Sequence, residues 1–181
     1  VGGGTLGHIY PFIPVVKEIK DCYELYFIGT TNGLERSLIE RTEGFKECFY
    51  LQMQGFRRRL SWYNIKTIKL YFQCKKEVNK IFDKIKPDLV IGMGGYISGV
   101  VLNVSLKRKI KTIIHEQNAV LGLANRLLVN KVDMVLLSFP VTNKIKNPHV
   151  KVIGNPRLSE IYHSYKIHHE ENKFIVIVGG S

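Results

Sequence analysis

Two glycine-rich segments are the first places in the sequence where residue types and spacing indicate chemistry. The first glycine segment spans residues 2–8 (GGGTLGH), and the second glycine segment spans residues 92–99 (GMGGYISG). Each stands between a predicted strand and a predicted helix, where glycine lets the backbone approach a ligand and a helix N-terminus offers N–H groups to an anion. Either segment alone is also typical of a structural turn. Together, at one edge of a parallel sheet, they suit the two phosphates of a pyrophosphate.

A polar cluster at residues 115–118 (HEQN) ends a predicted strand that is otherwise apolar. Polar groups in such a place need hydrogen-bonding partners, so a single histidine there is more often structural than catalytic. The cluster is predicted to share a sheet edge with both glycine segments, however, and this favours a catalytic role. Residues 154–157 (GNPR) also follow a predicted strand and are compatible with a plain turn.

A basic and aromatic segment at residues 56–63 (FRRRLSWY) leads into a long predicted helix. Aromatic rings enter a membrane interface while cations meet anionic headgroups, so this segment is predicted to contact an anionic membrane surface. The predicted contact residues are Phe56, Arg57, Arg58, Arg59, Leu60, Trp62, Tyr63, Lys66 and Lys69. Two alternatives fit the same pattern: a solvated helix start with buried rings, and a site for single-stranded nucleic acid.

The charge balance also favours a polyanionic partner. Lys and Arg number 27 against 15 Asp and Glu, which gives a net charge of +12 and suits nucleic acid, an anionic membrane or a phosphorylated substrate. The chain is 45% hydrophobic and 23% charged, a composition that excludes a disordered protein. No apolar run reaches the roughly 18 residues that span a bilayer, so any membrane contact is predicted at the surface. The three cysteines lack metal-ligand spacing and are predicted to be free thiols in a reducing compartment.

Short apolar runs alternate with helical stretches, which predicts an α/β fold with a parallel sheet to position these residues. Strands are predicted at residues 24–29, 47–52, 89–93, 111–116, 134–139 and 150–153. Helices are predicted at residues 9–20, 33–41, 63–86, 99–109 and 121–130. In the long helix, a stripe with a spacing near 3.6 is predicted to face the sheet. That stripe consists of Ile68, Phe72, Val78, Ile81, Phe82 and Ile85.

Taken in order, the glycine, polar and strand-end segments resemble successive motifs of the MurG family of N-acetylglucosaminyltransferases. The motifs are GGTLGH at 3–8, GMGGYISG at 92–99, HEQNAV at 115–120, SFP at 138–140, GNP at 154–156 and GGS at 179–181. Their order and spacing match along the whole chain. One departure is Leu6, which stands where the family usually has glycine; if the position requires positive φ, leucine would be strained there.

The resemblance implies a GT-B glycosyltransferase, in which two Rossmann-like domains enclose the active site in the cleft between them. Residues 1–156 are expected to form the N-terminal acceptor-binding domain, and the polar residues 157–172 an interdomain linker. Residues 173–181 are expected to be the first strand of a C-terminal donor-binding domain that is otherwise missing from this sequence. The chain is therefore expected to be a fragment that is inactive alone.

The implied reaction is the inverting transfer of N-acetylglucosamine from UDP-N-acetylglucosamine to the C4 hydroxyl of undecaprenyl-pyrophosphoryl-muramyl-pentapeptide, a step of peptidoglycan synthesis. The partners are thus the lipid-linked acceptor, UDP-N-acetylglucosamine and an anionic membrane. The family resemblance implies a peripheral protein on the cytoplasmic side of the bacterial cell membrane. It implies no cofactor besides the sugar-nucleotide substrate, and no metal.

The resemblance also implies roles for individual residues. A base must accept the proton of the attacking hydroxyl, and imidazole suits that role at neutral pH, with His8 as the first candidate and His115 as the second. The acceptor pyrophosphate is expected on Gly3, Gly4, Gly94, Gly95, Tyr96 and Ser98, supported by Glu116 and Gln117. Donor contacts are expected from Thr5, Leu6, Gly7, Asn118, Arg157 and Ser181.

Two rival functions remain at this stage. One is another GT-B enzyme, such as a different lipid glycosyltransferase or a UDP-sugar epimerase, which would lack this combination of motifs. The other is a basic nucleic-acid-binding module. Against the latter, the glycine segments lie at strand–helix junctions and no nucleic-acid-binding motif is recognisable. A nucleic-acid partner is therefore not expected.

Overall fold

Parallel strands carry most of the apolar runs that the sequence presents. The computed structural model describes residues 1–4, 6–56, 62–141 and 144–158. Its strands are β1 (Leu25–Thr30), β2 (Phe45–Leu51), β3 (Leu89–Gly92), β4 (Lys111–Glu116), β5 (Met134–Leu137) and β6 (Val150–Val152). Strand β1 pairs with β2, and β3 to β6 pair in chain order, every pairing being parallel. The predicted parallel α/β fold is confirmed.

The first two residues join the two groups of strands. Val1 donates from its amino group to the carbonyl of Ile91 (2.7 Å) and accepts from the N–H of Met93 (2.9 Å), while Gly2 donates to the carbonyl of Ile28 (3.3 Å). The order across the molecule is therefore β2, β1, residues 1–2, β3, β4, β5 and β6. Chain order reverses between residues 1–2 and β3. In open α/β sheets, ligands bind at such a reversal, beyond the carboxyl ends of the strands.

Helices follow most of the strands, with starts that differ from prediction. The α-helices are α1 (Ile13–Ile19), α2 (Glu35–Glu40), α3 (Trp62–Ile85), α4 (Gly95–Lys107) and α5 (Leu123–Leu128). Two 3-10 turns, Leu6–His8 and Tyr10–Phe12, precede α1 in place of the predicted helical start at residue 9. Pro11 and Pro14 account for this, because proline lacks the N–H that an α-helical interior requires. None of the helices in the described ranges is long and apolar enough to cross a membrane.

Two apolar cores lie on opposite faces of β1, because successive strand residues point to opposite faces. Phe27 belongs to a small core with Ile9, Ile13 and Ile39, whereas Ile28 belongs to the large core beneath α3, α4 and α5. The side of α3 that faces this core carries Thr67, Cys74, Val78, Ile81 and Phe82.

Two residues of the predicted core stripe of α3 do not lie in the core. Ile68 is 48% exposed and Phe72 is 62% exposed, so the prediction was wrong for both. With Trp62 and Ile65, they form an apolar outer face of α3 that the described residues leave uncovered.

Several predicted features lie outside the described residues. These are Thr5, Arg57, Arg58, Arg59, Leu60 and Ser181, residues 159–172 of the expected linker, and the strand expected at 173–181.

Candidate active site

The two glycine segments meet at the strand-order reversal. Gly95 has φ +83°, and a Cβ built on it would lie 2.0 Å from the carbonyl oxygen of Gly3. Gly94 has φ +105°, and its Cβ would lie 2.8 Å from Nδ1 of His8. Both positions require glycine, first for the backbone conformation and second for the space. The absence of side chains here brings the segments into contact and seats the His8 ring against the second one.

The expected phosphate cradle is partly occupied by the protein itself. The N–H of Gly4 donates to Oε2 of Glu35 (3.3 Å), and the N–H of Gly94 donates to the hydroxyl of Ser98 (3.3 Å). The Ser98 hydroxyl is buried and donates to the carbonyl of Val1 (3.3 Å), so it holds the segment in place. The donors available at this point are instead those of the first turn of α4, since the first N–H groups of a helix have no partner within it.

Helix α4 begins at Gly95 rather than at the predicted residue 99, which changes the position of Tyr96. Tyr96 and Ser98 thus belong to the first turns of the helix and not to a loop. Tyr96 is 43% exposed, and its ring packs against Gly55, where a Cβ would lie 2.2 Å from the ring. The tyrosine therefore spans from the second glycine segment to the chain that follows β2.

A cavity of about 530 Å³ lies beside this contact. Its walls come from the first glycine segment, the loops after β1 and β2, and the start of α3. The polar groups around it include Gly4, Thr31, Asn32, Gln54, Lys66 and Tyr96. Lys66, predicted as a membrane contact, is thus a cation at the cavity wall.

Glu35 is a buried carboxylate beneath the first glycine segment that the sequence reasoning missed. It is 0% exposed, and its Oε1 accepts from the N–H (3.0 Å) and the hydroxyl (2.5 Å) of Thr30. A Cβ on Gly3 would lie 2.7 Å from Oε1, and a Cβ on Gly33 would lie 1.9 Å from Oε2. Its position in the sequence could have indicated it, because Glu35 follows the end of β1 and so lies at the same sheet edge as the other polar groups.

His8 is half-buried and its ring contacts Gln117. The distance between His8 Nδ1 and Gln117 Oε1 is 3.2 Å. The amide nitrogen of Gln117 donates to the carbonyl of Met93 (2.8 Å) and lies 3.4 Å from His115 Nδ1. The two candidate bases predicted from the sequence are therefore joined through one glutamine.

His115 occupies a different environment from His8. It is 3% exposed, its Nε2 lies 3.4 Å from the hydroxyl of Ser138, and it hydrogen-bonds the backbone of Gly154. Burial lowers the pKa of His115 below its usual range, although the bond to Gly154 opposes that shift. This favours a neutral ring in the interior.

Glu116 is also buried, at 1% exposure, and accepts four hydrogen bonds. Oε1 accepts from the N–H (3.1 Å) and the side-chain amide (2.9 Å) of Asn118. Oε2 accepts from the N–H of Gly122 (3.0 Å) and from the amide of Asn125 (2.9 Å). The carboxylate thus holds the loop after β4 and orients Asn118, whose side chain is exposed.

Arg157 contacts the 3-10 turn that follows the first glycine segment. The guanidinium of Arg157 stacks on the ring of Tyr10, 3.9 Å from its centroid.

Leu6 and Gly7 lie in the 3-10 turn that ends at His8. In the described part of the chain, the non-glycine residues with positive φ are Lys86 and Lys109, so Leu6 does not carry the strain that a left-handed conformation would impose.

Apart from Tyr63, the predicted membrane contacts that the structure describes are exposed. Trp62 is 85% exposed and Phe56 is 45% exposed, and Lys69 lies at the surface beside the apolar outer face of α3. Tyr63 is half-buried, and its carbonyl accepts from Thr67 (3.0 Å).

The fold and the site together define a class of protein. It is a Rossmann-like parallel α/β domain in which two glycine turns and two imidazole groups meet where the strand order reverses. Residues 1–137 match the model described as the glycosyltransferase family 28 N-terminal domain. The chain belongs to this family.

Individual relatives whose descriptions name a reaction align with most of this chain. It is 43% identical over 192 aligned residues (99% of this chain and 52% of the relative) to the UDP-N-acetylglucosamine–N-acetylmuramyl-(pentapeptide) pyrophosphoryl-undecaprenol N-acetylglucosamine transferase of Caldanaerobacter subterraneus. It is 44% identical to the protein of the same description from Bacillus licheniformis, over 88% of this chain and 44% of that protein. The crystal structure of Acinetobacter baumannii MurG matches 82% of this chain and 43% of its own, with a TM-score of 0.69 and 26% identity. The chain thus spans about half the length of these relatives.

Proposed function

We propose that the chain is the acceptor-binding part of an inverting transferase that moves N-acetylglucosamine from UDP-N-acetylglucosamine to undecaprenyl-pyrophosphoryl-muramyl-pentapeptide in peptidoglycan synthesis. One observation carries the proposal: at the strand-order reversal the two glycine segments touch, and His8 lies against Gly94. The names of the relatives supply the donor and the acceptor. Residues 157–172 would link this domain to a second, donor-binding domain whose first strand would be residues 173–181.

In the proposed reaction, the C4 hydroxyl of the muramyl sugar attacks the anomeric carbon of the donor and displaces UDP with inversion. The proton of the hydroxyl passes to an imidazole nitrogen as the new C–O bond forms, and the donor C–O bond breaks toward UDP. His8 suits the base role better than His115, because His8 is half-buried whereas His115 is 3% exposed with contacts at both ring nitrogens.

The acceptor would enter the cavity between the first glycine segment and α3. Its pyrophosphate would contact the backbone of Gly3, Gly95 and Tyr96, where α4 begins, and Lys66 would add a positive charge from the cavity wall. The exposed Asn118 would contact the donor, and by resemblance so would Thr5, Leu6, Gly7, Arg157 and Ser181.

The outer face of α3 would seat the protein on the cytoplasmic surface of the bacterial membrane. The apolar residues Trp62, Ile65 and Phe72 are 85%, 56% and 62% exposed, and Lys66 and Lys69 lie among them. Rings and aliphatic side chains bury apolar area in the interface, and each lysine near an anionic surface contributes about 1 kcal/mol. Lys66 also lines the cavity, so the lipid-linked acceptor would reach the site directly from the membrane.

The proposal is tested by an assay of sugar transfer. The protein assayed is the full-length one, in which this chain is followed by the second domain that its relatives have. Labelled UDP-N-acetylglucosamine is offered with an analogue of the lipid acceptor, and in parallel with the muramyl peptide lacking the pyrophosphate. We expect transfer to the first and a kcat/KM at least about 100-fold lower for the second, because the cavity would lose its anionic ligand. Equal rates with both acceptors, or robust transfer by residues 1–181 alone, would contradict the assignment.

Vesicle co-sedimentation over a salt series tests the membrane surface. Replacing Trp62 and Phe72 with Ser should weaken binding to anionic vesicles at every salt concentration, because apolar burial is not screened. The matched control is Leu127→Ser in α5, which is 65% exposed but lies on another helix. Equal loss in both proteins would refute the α3 surface, and preferential binding to single-stranded RNA would support the nucleic-acid alternative instead.

A further inference from the structure

The side chain of Gln117 contacts three groups of the candidate site at once, although it is only 8% exposed. Its Oε1 lies 3.2 Å from His8 Nδ1. Its Nε2 donates to the carbonyl of Met93 at 2.8 Å and lies 3.4 Å from His115 Nδ1. No other described residue contacts both histidines by hydrogen bonding.

The contact with Met93 fixes which way the Gln117 amide points. A carbonyl oxygen only accepts hydrogen bonds, so the amide NH2 must face Met93 and the amide oxygen must face His8. The reversed orientation would place two acceptor oxygens 2.8 Å apart. The amide oxygen is in turn an acceptor only, so the neutral His8 ring must carry its proton on Nδ1 to bond it.

The same amide sets the opposite tautomer in His115. Because the Gln117 NH2 group faces His115 Nδ1, that nitrogen must be the unprotonated one. The proton of His115 then lies on Nε2, next to the hydroxyl of Ser138. The Gln117 amide therefore gives the two histidine rings opposite tautomers, a difference that the sequence alone does not show.

We infer that Gln117 is a positioning residue that holds neutral His8 as the Nδ1–H tautomer, so that the lone pair stays on Nε2. The inference rests on the proposed function, in which His8 Nε2 accepts the proton of the attacking hydroxyl. Met93 and Gly94 complete the arrangement: the Met93 carbonyl orients the amide, and Gly94 leaves room for the ring. Without this contact the ring would place its proton on either nitrogen, and the Nε2–H form cannot act as a base there.

Nitrogen NMR of the histidine rings in the 181-residue chain tests the tautomer directly. Protonated and unprotonated imidazole nitrogens have well-separated shifts, and the His8 signals are identified as those that vanish in His8→Gln. At a pH where the ring is neutral, we expect the proton of His8 on Nδ1. A His8 ring that carries its proton on Nε2 in the wild-type chain overturns the inference, whatever any variant does.

Gln117→Leu should move the tautomer ratio of His8 about fivefold toward Nε2–H, the change expected from losing one hydrogen bond. The matched control is Asn147→Leu. Asn147 is also 8% exposed, and its amide donates to the carbonyls of Val129 (2.9 Å) and Val132 (2.7 Å). It lies in the chain before β6, at the sheet edge opposite the candidate site. A loss of structure alone would affect both variants, whereas the tautomer shift should occur only in Gln117→Leu.

Sugar transfer by the full-length protein supplies the second readout. Gln117→Leu should lower kcat at least about 10-fold with little change in acceptor KM, and Asn147→Leu should leave kcat within about twofold. If the tautomer shifts but kcat does not, Gln117 does not serve catalysis and the inference fails. If the tautomer is as expected but His8→Ala transfers sugar normally, the proposed base is wrong while the effect of Gln117 on the ring stands.

Discussion

Glu116 is the group whose replacement tests the architecture of the site most sharply. Glutamine has nearly the same shape but loses the charge and turns one of the two acceptor oxygens into an NH2 donor. In the wild-type chain one oxygen accepts from exposed Asn118, and the other accepts from exposed Gly122 and from the buried amide of Asn125.

The cost of Glu116→Gln depends on which side keeps the oxygen. If the oxygen stays on the side of Asn125, Gly122 and Asn125 remain bonded, and water can reach the freed N–H of exposed Asn118. If it faces Asn118, the side-chain amide of Asn125, which is buried, loses its acceptor in the interior, which costs about 1–3 kcal/mol. The first arrangement is cheaper, so we expect a loss of about 2 kcal/mol, mainly from weaker uncharged hydrogen bonds, and a reoriented Asn118.

Glu116→Leu removes both acceptors, so four donors lose their partner at once and the loss should exceed about 4 kcal/mol. Urea unfolding of the 181-residue chain measures both values. Glu40→Gln is the control, because Glu40 is 51% exposed and pairs with Arg36 on the surface, where an ion pair contributes little to stability. Glu116→Gln and Glu116→Leu within about 0.5 kcal/mol of wild type would refute the role given to the carboxylate.

Three further predictions concern stability and reactivity. Because burial lowers the pKa of His115, the unfolded chain binds more protons below about pH 6.5; wild-type stability should therefore fall there by up to about 1.4 kcal/mol per pH unit, and less steeply in His115→Gln. If the free energy of unfolding of the wild type and of His115→Gln changed equally with pH between pH 7 and 5, this prediction would be contradicted. Gly95→Ala should cost more than about 2 kcal/mol in urea unfolding, since its Cβ would meet Gly3, whereas Gly99→Ala, 3.3 Å from its nearest neighbour, should change stability by less than about 1 kcal/mol; similar values for both would refute the contact. Cys22 is exposed, while burial raises the pKa of Cys48 and raises that of Cys74 to about 12, so alkylation of the folded chain should modify Cys22 first. Equally fast labelling of all three would show that Cys74 is not buried.

The sheet edge that carries the site was predictable because its signal is local. Parallel strands read as continuous apolar runs, and polar residues directly after them must meet at one edge. Strand β4 has the predicted bounds, and His8, Gln117 and the second glycine segment come together as the alternation of strands and helices implies.

The start of α4 and the burial of Glu35 were not predictable, since both depend on distant contacts. Glycine pairs favour turns, but Gly94 and Gly95 bend the chain at positive φ directly into a helix. Acidic residues at a helix start are usually solvated, whereas Glu35 is covered by Gly3 and Gly33. The prediction that Ile68 and Phe72 lie in the core was wrong for another reason. Both keep the helical spacing of the stripe, but periodicity does not show whether anything covers that face of the helix.

Sugar transfer by the full-length protein with His8→Ala is the most direct test of the proposed site. If His8 accepts the proton of the acceptor hydroxyl, kcat for transfer from UDP-N-acetylglucosamine to the lipid acceptor analogue should fall about 100-fold or more. Acceptor KM should change much less, because the glycine segments and the cavity remain. A kcat close to that of the wild type would contradict the account and remove the imidazole beside Gly94 from the reaction.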